Sequence, residues 1–125
     1  MSRPAQRTES ELMLDLLFHG LRVRDAKMNE VAVDLFSRFG VKPIRRLALE
    51  AVDRKNTPSH RLRAMTAIER IGDVSNKDDL LDLCLLLADP NEPLRAAAFR
   101  FLRKFAPAGG AILRPTDEVT TAPTL

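Results

Sequence analysis

The sequence predicts an all-α fold in which three helical hairpins, about six helices in total, stack into a solenoid. One apolar pattern occurs three times along the chain, and its starts are separated by 32 and 34 residues, within the range typical of helical repeats. No segment shows the sustained alternation of apolar and polar residues that is typical of strands. The connections between the predicted helices are short, which makes consecutive helices antiparallel neighbours.

The repeated pattern is counted from Met28, His60 and Leu94, which each begin one repeat. The residue four positions on is always small, and the residues eight, eleven and twelve positions on are apolar, apolar and small. These positions are occupied by Ala32, Ala64 and Ala98; by Phe36, Ile68 and Leu102; by Phe39, Ile71 and Phe105; and by Gly40, Gly72 and Ala106. The alanines are predicted to let neighbouring helices approach closely, while the larger residues fill the layers between them.

Local capping chemistry places the individual helices. Thr8 and Glu11 have the spacing of a capping box, which predicts a first helix over about 10–19 that Gly20 ends. Ser59 and Ser75 are the predicted starts of the fourth and fifth helices, and Pro43 belongs to the first turn of the third. The remaining helices are predicted over about 25–39, 43–55, 59–71, 75–88 and 93–105.

The predicted helices group into one repeat domain with short ends. Residues 8–106 form the domain, with repeats over about 8–40, 41–72 and 75–106. Residues 1–7 are expected to be flexible. The segment 107–125 contains Gly109, Gly110, Pro115 and Pro123 and is expected to be mostly disordered.

The composition is that of a globular domain and excludes several kinds of site. Hydrophobic residues make up 45% and charged residues 30% of the 125 positions, and the net charge is only +3. The single Cys84 excludes an internal disulfide and a thiolate-rich metal site. The apolar stretch 12–18 is short and contains Asp15, so no secretory signal or membrane span is predicted, and a cytoplasmic location is expected.

Two segments carry a resemblance to a known family. Residues 60–72 read HRLRAMTAIERIG and residues 89–102 read DPNEPLRAAAFRFL. Both resemble HEAT repeats, especially the short bacterial type found in phycobilisome lyases, in which an Arg follows the first apolar residue and Asp-Pro often forms the turn. The resemblance covers about residues 8–106. The first repeat departs from the pattern because Asn29 replaces the Arg.

The resemblance implies a right-handed α-α superhelix whose second helices line a concave face. It also implies structural roles for Arg61 and Arg95, which in the family pair with the turn acid and tie repeats together. For Arg95 the nearby candidate is Asp89 or Glu92. HEAT-like repeats serve many roles, so the resemblance predicts the fold more strongly than the activity.

A row of cations is predicted on the exposed side of the repeat helices. Position 10 of the three repeats holds Arg38, Arg70 and Lys104, and Arg100 and Arg103 lie nearby. The net charge rises from −1 over residues 25–39 to +2 over 59–71 and +3 over 92–105. This row predicts a binding site for an acidic protein partner. The alternatives are a nucleic-acid site that contacts phosphates and a solvated face that only keeps the protein soluble.

The sequence offers little support for an enzyme. His19 and His60 have no partner recognisable from the sequence, and the repeated His-Glu pairs of the HEAT-type deoxyhypusine hydroxylase are absent. No catalytic residue, metal ligand or cofactor is therefore predicted. An enzyme related to the lyases is the remaining, less favoured alternative, and it requires a bound chromophore or substrate.

The apolar ends of the stack predict a further contact. The first and fifth helices carry more large apolar residues than one buried stripe requires. The segment 111–113 is expected to cover one end in part, and self-association or a partner is expected at the N-terminal end. The alternative is that the additional leucines fill the core between layers.

Overall fold

The computed structural model describes residues 8–74 and 76–105, and this part of the chain folds into six α-helices without a strand. The helices are α1 (Glu9–Arg22), α2 (Ala26–Phe36), α3 (Ile44–Val52), α4 (Pro58–Ile71), α5 (Lys77–Cys84) and α6 (Glu92–Leu102). Short 3₁₀ segments extend α2, α5 and α6 over Ser37–Phe39, Leu85–Ala88 and Arg103–Phe105. The prediction of an all-α fold is confirmed for the described residues. The segments 1–7 and 107–125, Ser75 and Ala106 lie outside them.

Side-chain caps fix most of the helix starts. Thr8 accepts a hydrogen bond from the backbone N–H of Glu11 while the Glu11 carboxylate accepts one from the N–H of Thr8, so the predicted capping box is present. The cap of α4 is Thr57 rather than the predicted Ser59, because Pro58 takes the first helical position. Asn76 caps α5.

The predicted role of Gly20 is wrong. The residue lies inside α1, which continues to Arg22, and it is buried rather than placed at a helix end. A Cβ atom at this position would lie 3.4 Å from the Cβ of Ala32. Gly20 therefore serves the close approach of α1 to α2, whereas Gly72 ends α4 in the left-handed conformation at a φ of 80°.

The helices pack as hairpins that share a common core. α1 packs on α2, α3 on α4, and α5 with its 3₁₀ extension on α6. α4 also packs against both α2 and α6, and α3 packs against α5. We call α2, α4 and α6 the B row. Ala32, Ala64 and Ala98 are all buried, and they lie at the same repeat position of the three B-row helices.

Two adjacent arginines of α3 connect the first helices of the hairpins. Arg46 donates to the Asp15 carboxylate of α1 at 2.8 Å. Arg45 donates to Asp79 and Asp82 of α5 at 3.3 and 2.5 Å. The two side chains thus bind the helices on opposite sides of α3.

The residue one position after each repeat start binds the backbone that precedes its own helix. The Asn29 amide donates to the carbonyl oxygens of Gly20 at 2.8 Å and Val23 at 2.9 Å. Arg61 Nε donates to the carbonyl of Ala51 at 2.8 Å, and Arg95 donates to the carbonyl of Asp89 at 2.6 Å. Each side chain satisfies carbonyl groups that the end of a helix leaves without intrahelical partners.

Arg61 is also paired with a buried carboxylate of the following hairpin. Its guanidinium donates to both carboxylate oxygens of Asp89, and the two side chains are only 6% and 2% exposed. Burial alone raises the pKa of Asp89, but the hydrogen bonds from Arg61 and the Asn91 N–H, with the charges of Arg61 and Arg54, lower the pKa below its ordinary value. The pair connects α4 to the turn before α6.

We expect the Asp89→Ala variant to lose about 3–5 kcal/mol of unfolding free energy, because it leaves the Arg61 charge buried without its counter-ion. Urea unfolding followed by circular dichroism measures the change. Asp73→Ala is the matched control, because it removes an exposed carboxylate that among the described residues is bonded only to the N–H of Val74. It is expected to change stability by less than about 0.5 kcal/mol. Equal losses in the two variants would contradict the role of the pair.

The lowered pKa of Asp89 also predicts acid sensitivity. A carboxyl group whose pKa is lower in the folded state stabilises the fold above its unfolded pKa, and this stabilisation is lost as the pH falls through the folded pKa. The unfolding free energy of the wild type is therefore expected to fall below about pH 4. The Asp89→Asn variant starts from lower stability and is expected to show a shallower slope in the same urea series at pH 2–7.

Candidate functional site

The five cations predicted to form a binding row are all exposed, but they do not form one uniform row. Arg38 and Arg70 lie at the C-terminal ends of α2 and α4, and Arg100, Arg103 and Lys104 lie at the end of α6. They differ in whether they form an ion pair with a carboxylate.

Two of the cations are held by acids of the preceding helix in the B row. Arg70 of α4 donates to the carboxylate of Asp34 on α2. Arg100 of α6 donates through Nε and Nη2 to the two oxygens of Glu69 on α4, at 3.1 and 3.2 Å. The exposed surface of the B row therefore carries alternating charges between neighbouring helices.

The end of α6 carries two cations whose charge is not balanced in this way. Among residues 8–74 and 76–105, neither Arg103 nor Lys104 forms an ion pair with a carboxylate. The Arg103 guanidinium lies over the Phe99 ring at 5.7 Å, and the Lys104 ammonium lies 5.6 Å from the centre of the Phe101 ring. We call Arg100, Arg103 and Lys104 the basic cluster.

Arg38 lies apart from the basic cluster, on a different surface. It lines a pocket between α1 and α2 with a volume of about 250 Å³. The other lining residues are all apolar: Met13, Leu16, Leu17, Leu35 and Phe39. Among the described residues, the B row thus carries one cation without an ion pair at the α2 end, two at the α6 end, and ion pairs between its helices.

An open groove of about 320 Å³ runs between α2 and α4. Its α4 wall is formed by Arg63, Thr66 and Arg70, and its α2 wall includes Asn29 and Glu30. The Arg63 Nε donates to the carbonyl of Leu21 at 2.9 Å, so this cation is held at the base of the groove. Burial lowers the pKa of Arg63, but a guanidinium stays charged at neutral pH. Charges of both signs therefore line the groove.

A largely buried histidine–glutamate pair joins α3 to α4, and no sequence pattern predicted it. The Nε2 atom of His60 lies 2.6 Å from Oε1 of Glu50, and Nδ1 of His60 has no hydrogen-bond partner among the described residues. Burial raises the pKa of Glu50, but the hydrogen bond to His60 and the charges of Arg22 and Arg46 lower the pKa below its ordinary value. No third metal ligand accompanies the pair, since the described part of the chain contains no group of three or more His, Cys, Asp or Glu side chains that could hold a metal ion.

No family model, curated protein or solved structure matches the chain. Within the described residues, none of the helices combines the length and the apolar character that crossing a bilayer requires. The assignment of a function therefore depends on the geometry of this chain.

The Arg100–Glu69 pair is expected to contribute little to stability, because 61% and 24% of its side chains are exposed to solvent. A double-mutant cycle with Arg100→Ala and Glu69→Ala is expected to give a coupling energy of about 0.3–1 kcal/mol at low salt. The coupling is expected to decrease in 0.5 M salt through screening. A coupling energy above about 2 kcal/mol that salt does not change would contradict a surface role.

Proposed function

We propose that the chain is a HEAT-like solenoid, a right-handed α-α superhelix, and that it acts as a non-enzymatic scaffold for protein interactions. Three observations support this proposal. The B-row helices bury Ala32, Ala64 and Ala98 at the same repeat position. α4 packs between α2 and α6, as expected for successive repeats. The residue one position after each repeat start binds the backbone before its helix.

The proposed ligand of the B row is an acidic segment of a partner protein. The basic cluster carries this proposal, because Arg103 and Lys104 have no ion-pair partner among the described residues and Arg100 is held in place by Glu69. Exposed guanidinium and ammonium groups attract carboxylates and increase the rate of association. In a solenoid, the same cluster lies at the rim of the concave face.

The ion pairs between the B-row helices favour a protein over a nucleic acid as the ligand. A phosphate backbone presents a continuous line of negative charge, whereas Asp34 and Glu69 place carboxylates between the cations of the row. A duplex that follows the row approaches these carboxylates. A short acidic peptide contacts the basic cluster alone.

A fluorescent peptide of ten glutamates is the probe for this surface, measured by anisotropy at 50 mM salt. We expect the double variant R100E/K104E to weaken binding at least tenfold, because two attractive charges become repulsive. Lys77→Glu, a charge reversal at an exposed position at the start of α5, is the matched control and is expected to change binding less than twofold.

Glu69→Gln provides the opposite test on the same surface. It removes the carboxylate that competes for Arg100, so peptide binding is expected to strengthen by about two- to fivefold. A 20-base-pair duplex of random sequence is titrated in parallel. If the duplex binds tighter than the peptide, with an affinity that falls steeply with salt, the surface is a nucleic-acid site and the proposal of a protein ligand is wrong.

A further inference from the structure

In α4 and α6, one side of the helix contacts the B-row helix that precedes it. In α4 this side carries residues at positions 3, 6 and 10 of the repeat, Arg63, Thr66 and Arg70, which form the wall of the groove that faces α2. In α6, Arg100 at position 6 contacts Glu69 of α4. The same side of α4 and of α6 thus contacts the preceding B-row helix.

Among the described residues, no B-row helix precedes α2, and of its positions 3, 6 and 10 only Asp34 at position 6 contacts another B-row helix, through Arg70 of α4. Position 3 of α2 is Val31, which is 49% exposed, and position 10 is Arg38. Five of the eight exposed large apolar side chains in the described part of the chain belong to α1 and α2. These five are Leu12, Met13, Leu16, Met28 and Val31, and Met13 and Leu16 line the pocket beside Arg38. Exposed apolar surface that is concentrated on neighbouring helices is typical of an interaction site.

The charge on this face indicates what kind of segment it accepts. Arg38 occupies the same repeat position as Arg70, and Arg70 binds the carboxylate of Asp34 on the helix packed before it. Arg38 has no ion pair among the described residues, and it borders a pocket whose other lining residues are apolar. A helix seated on this face therefore needs apolar residues on one side and a carboxylate at the edge near Arg38.

We propose that this face, the α1–α2 end, docks an amphipathic helix of a partner protein that carries a carboxylate opposite Arg38. The docked helix packs against α2 in the way that α2 packs against α4. Its apolar side chains contact Met13, Leu16 and Leu35, and its carboxylate accepts hydrogen bonds from the Arg38 guanidinium. The site is separate from the basic cluster, so the two proposals are tested independently.

Charge disfavours a second copy of the chain as the occupant. Head-to-tail stacking brings the basic cluster of α6 towards Arg38, and these like charges repel. In face-to-face pairing of two α1–α2 ends, the pocket itself offers Arg38 of the other copy no carboxylate, since none of the residues that line it is acidic. The preceding segment 1–7 contains no Asp or Glu either.

A pair of stapled helical peptides tests the proposal with the full-length chain. The first has apolar residues at i, i+3 and i+7 and Glu at i+8, which is the spacing of Ala26, Asn29, Val33 and Asp34 on the side of α2 that faces α4. The second has Lys in place of that Glu. We expect the Glu peptide to bind more tightly by about fivefold or more, and we expect Arg38→Glu to reverse this preference.

Leu16→Ser tests the apolar part of the contact, and Leu81→Ser is its matched control. The two leucines are 69% and 59% exposed, so neither substitution is expected to unfold the chain; thermal melts check this. Leu16→Ser is expected to weaken binding of the Glu peptide about tenfold or more. Leu81→Ser is expected to weaken it less than about twofold.

Three results would overturn the proposal. The first is equal binding of the Glu and Lys peptides. The second is a stable dimer in sedimentation equilibrium that Leu16→Ser dissociates, because a second copy then occupies the face. The third is stronger peptide binding by the variant D117N/E118Q, because the acidic C-terminal segment of the chain then competes for the same face.

Discussion

The buried guanidinium of Arg61 is the constraint on which the arrangement of the hairpins depends. It binds the Ala51 carbonyl at the end of α3 and the Asp89 carboxylate in the turn before α6. An arginine remains charged when buried, so these partners must stay in place once α4 has packed. Apolar packing alone tolerates small shifts between helices, whereas this pair fixes the second hairpin relative to the third.

In the first repeat, an asparagine takes the place of the arginine and also binds the end of the preceding helix. Asn29 departs from the arginine of the HEAT-like pattern, yet its amide binds the carbonyls of Gly20 and Val23 just as Arg61 binds that of Ala51. The shorter amide reaches these carbonyls because Gly20 lets α1 approach α2 closely. Two residues that look like exceptions in the sequence, an Asn for an Arg and a Gly inside a helix, therefore depend on each other.

Structural features that depend on residues close together in the sequence are predicted correctly. Features that depend on a residue of another helix are not. The capping box at Thr8, the helix end at Gly72 and the burial of the repeated alanines follow from residues a few positions apart. The role of Gly20 depends on Ala32 of the next helix. The predicted row of cations included Arg70 without its ion pair, because its partner Asp34 lies 36 positions away and becomes a neighbour only after folding.

Pairing between successive helices also determines where unpaired charge remains. Arg70 and Arg100 each bind an acid of the preceding B-row helix. Arg38 has no B-row helix before it among the described residues. Lys104 has the repeat position of Arg70, but position 6 of the preceding helix is Thr66 in α4, where α2 has the acid Asp34. The interaction between Arg70 and Asp34 thus has no counterpart at either end of the row. The cations stand beside apolar residues at Arg38 and beside phenylalanine rings at Arg103 and Lys104. These neighbours support the proposal that each end binds a carboxylate carried by a protein segment rather than a free ion.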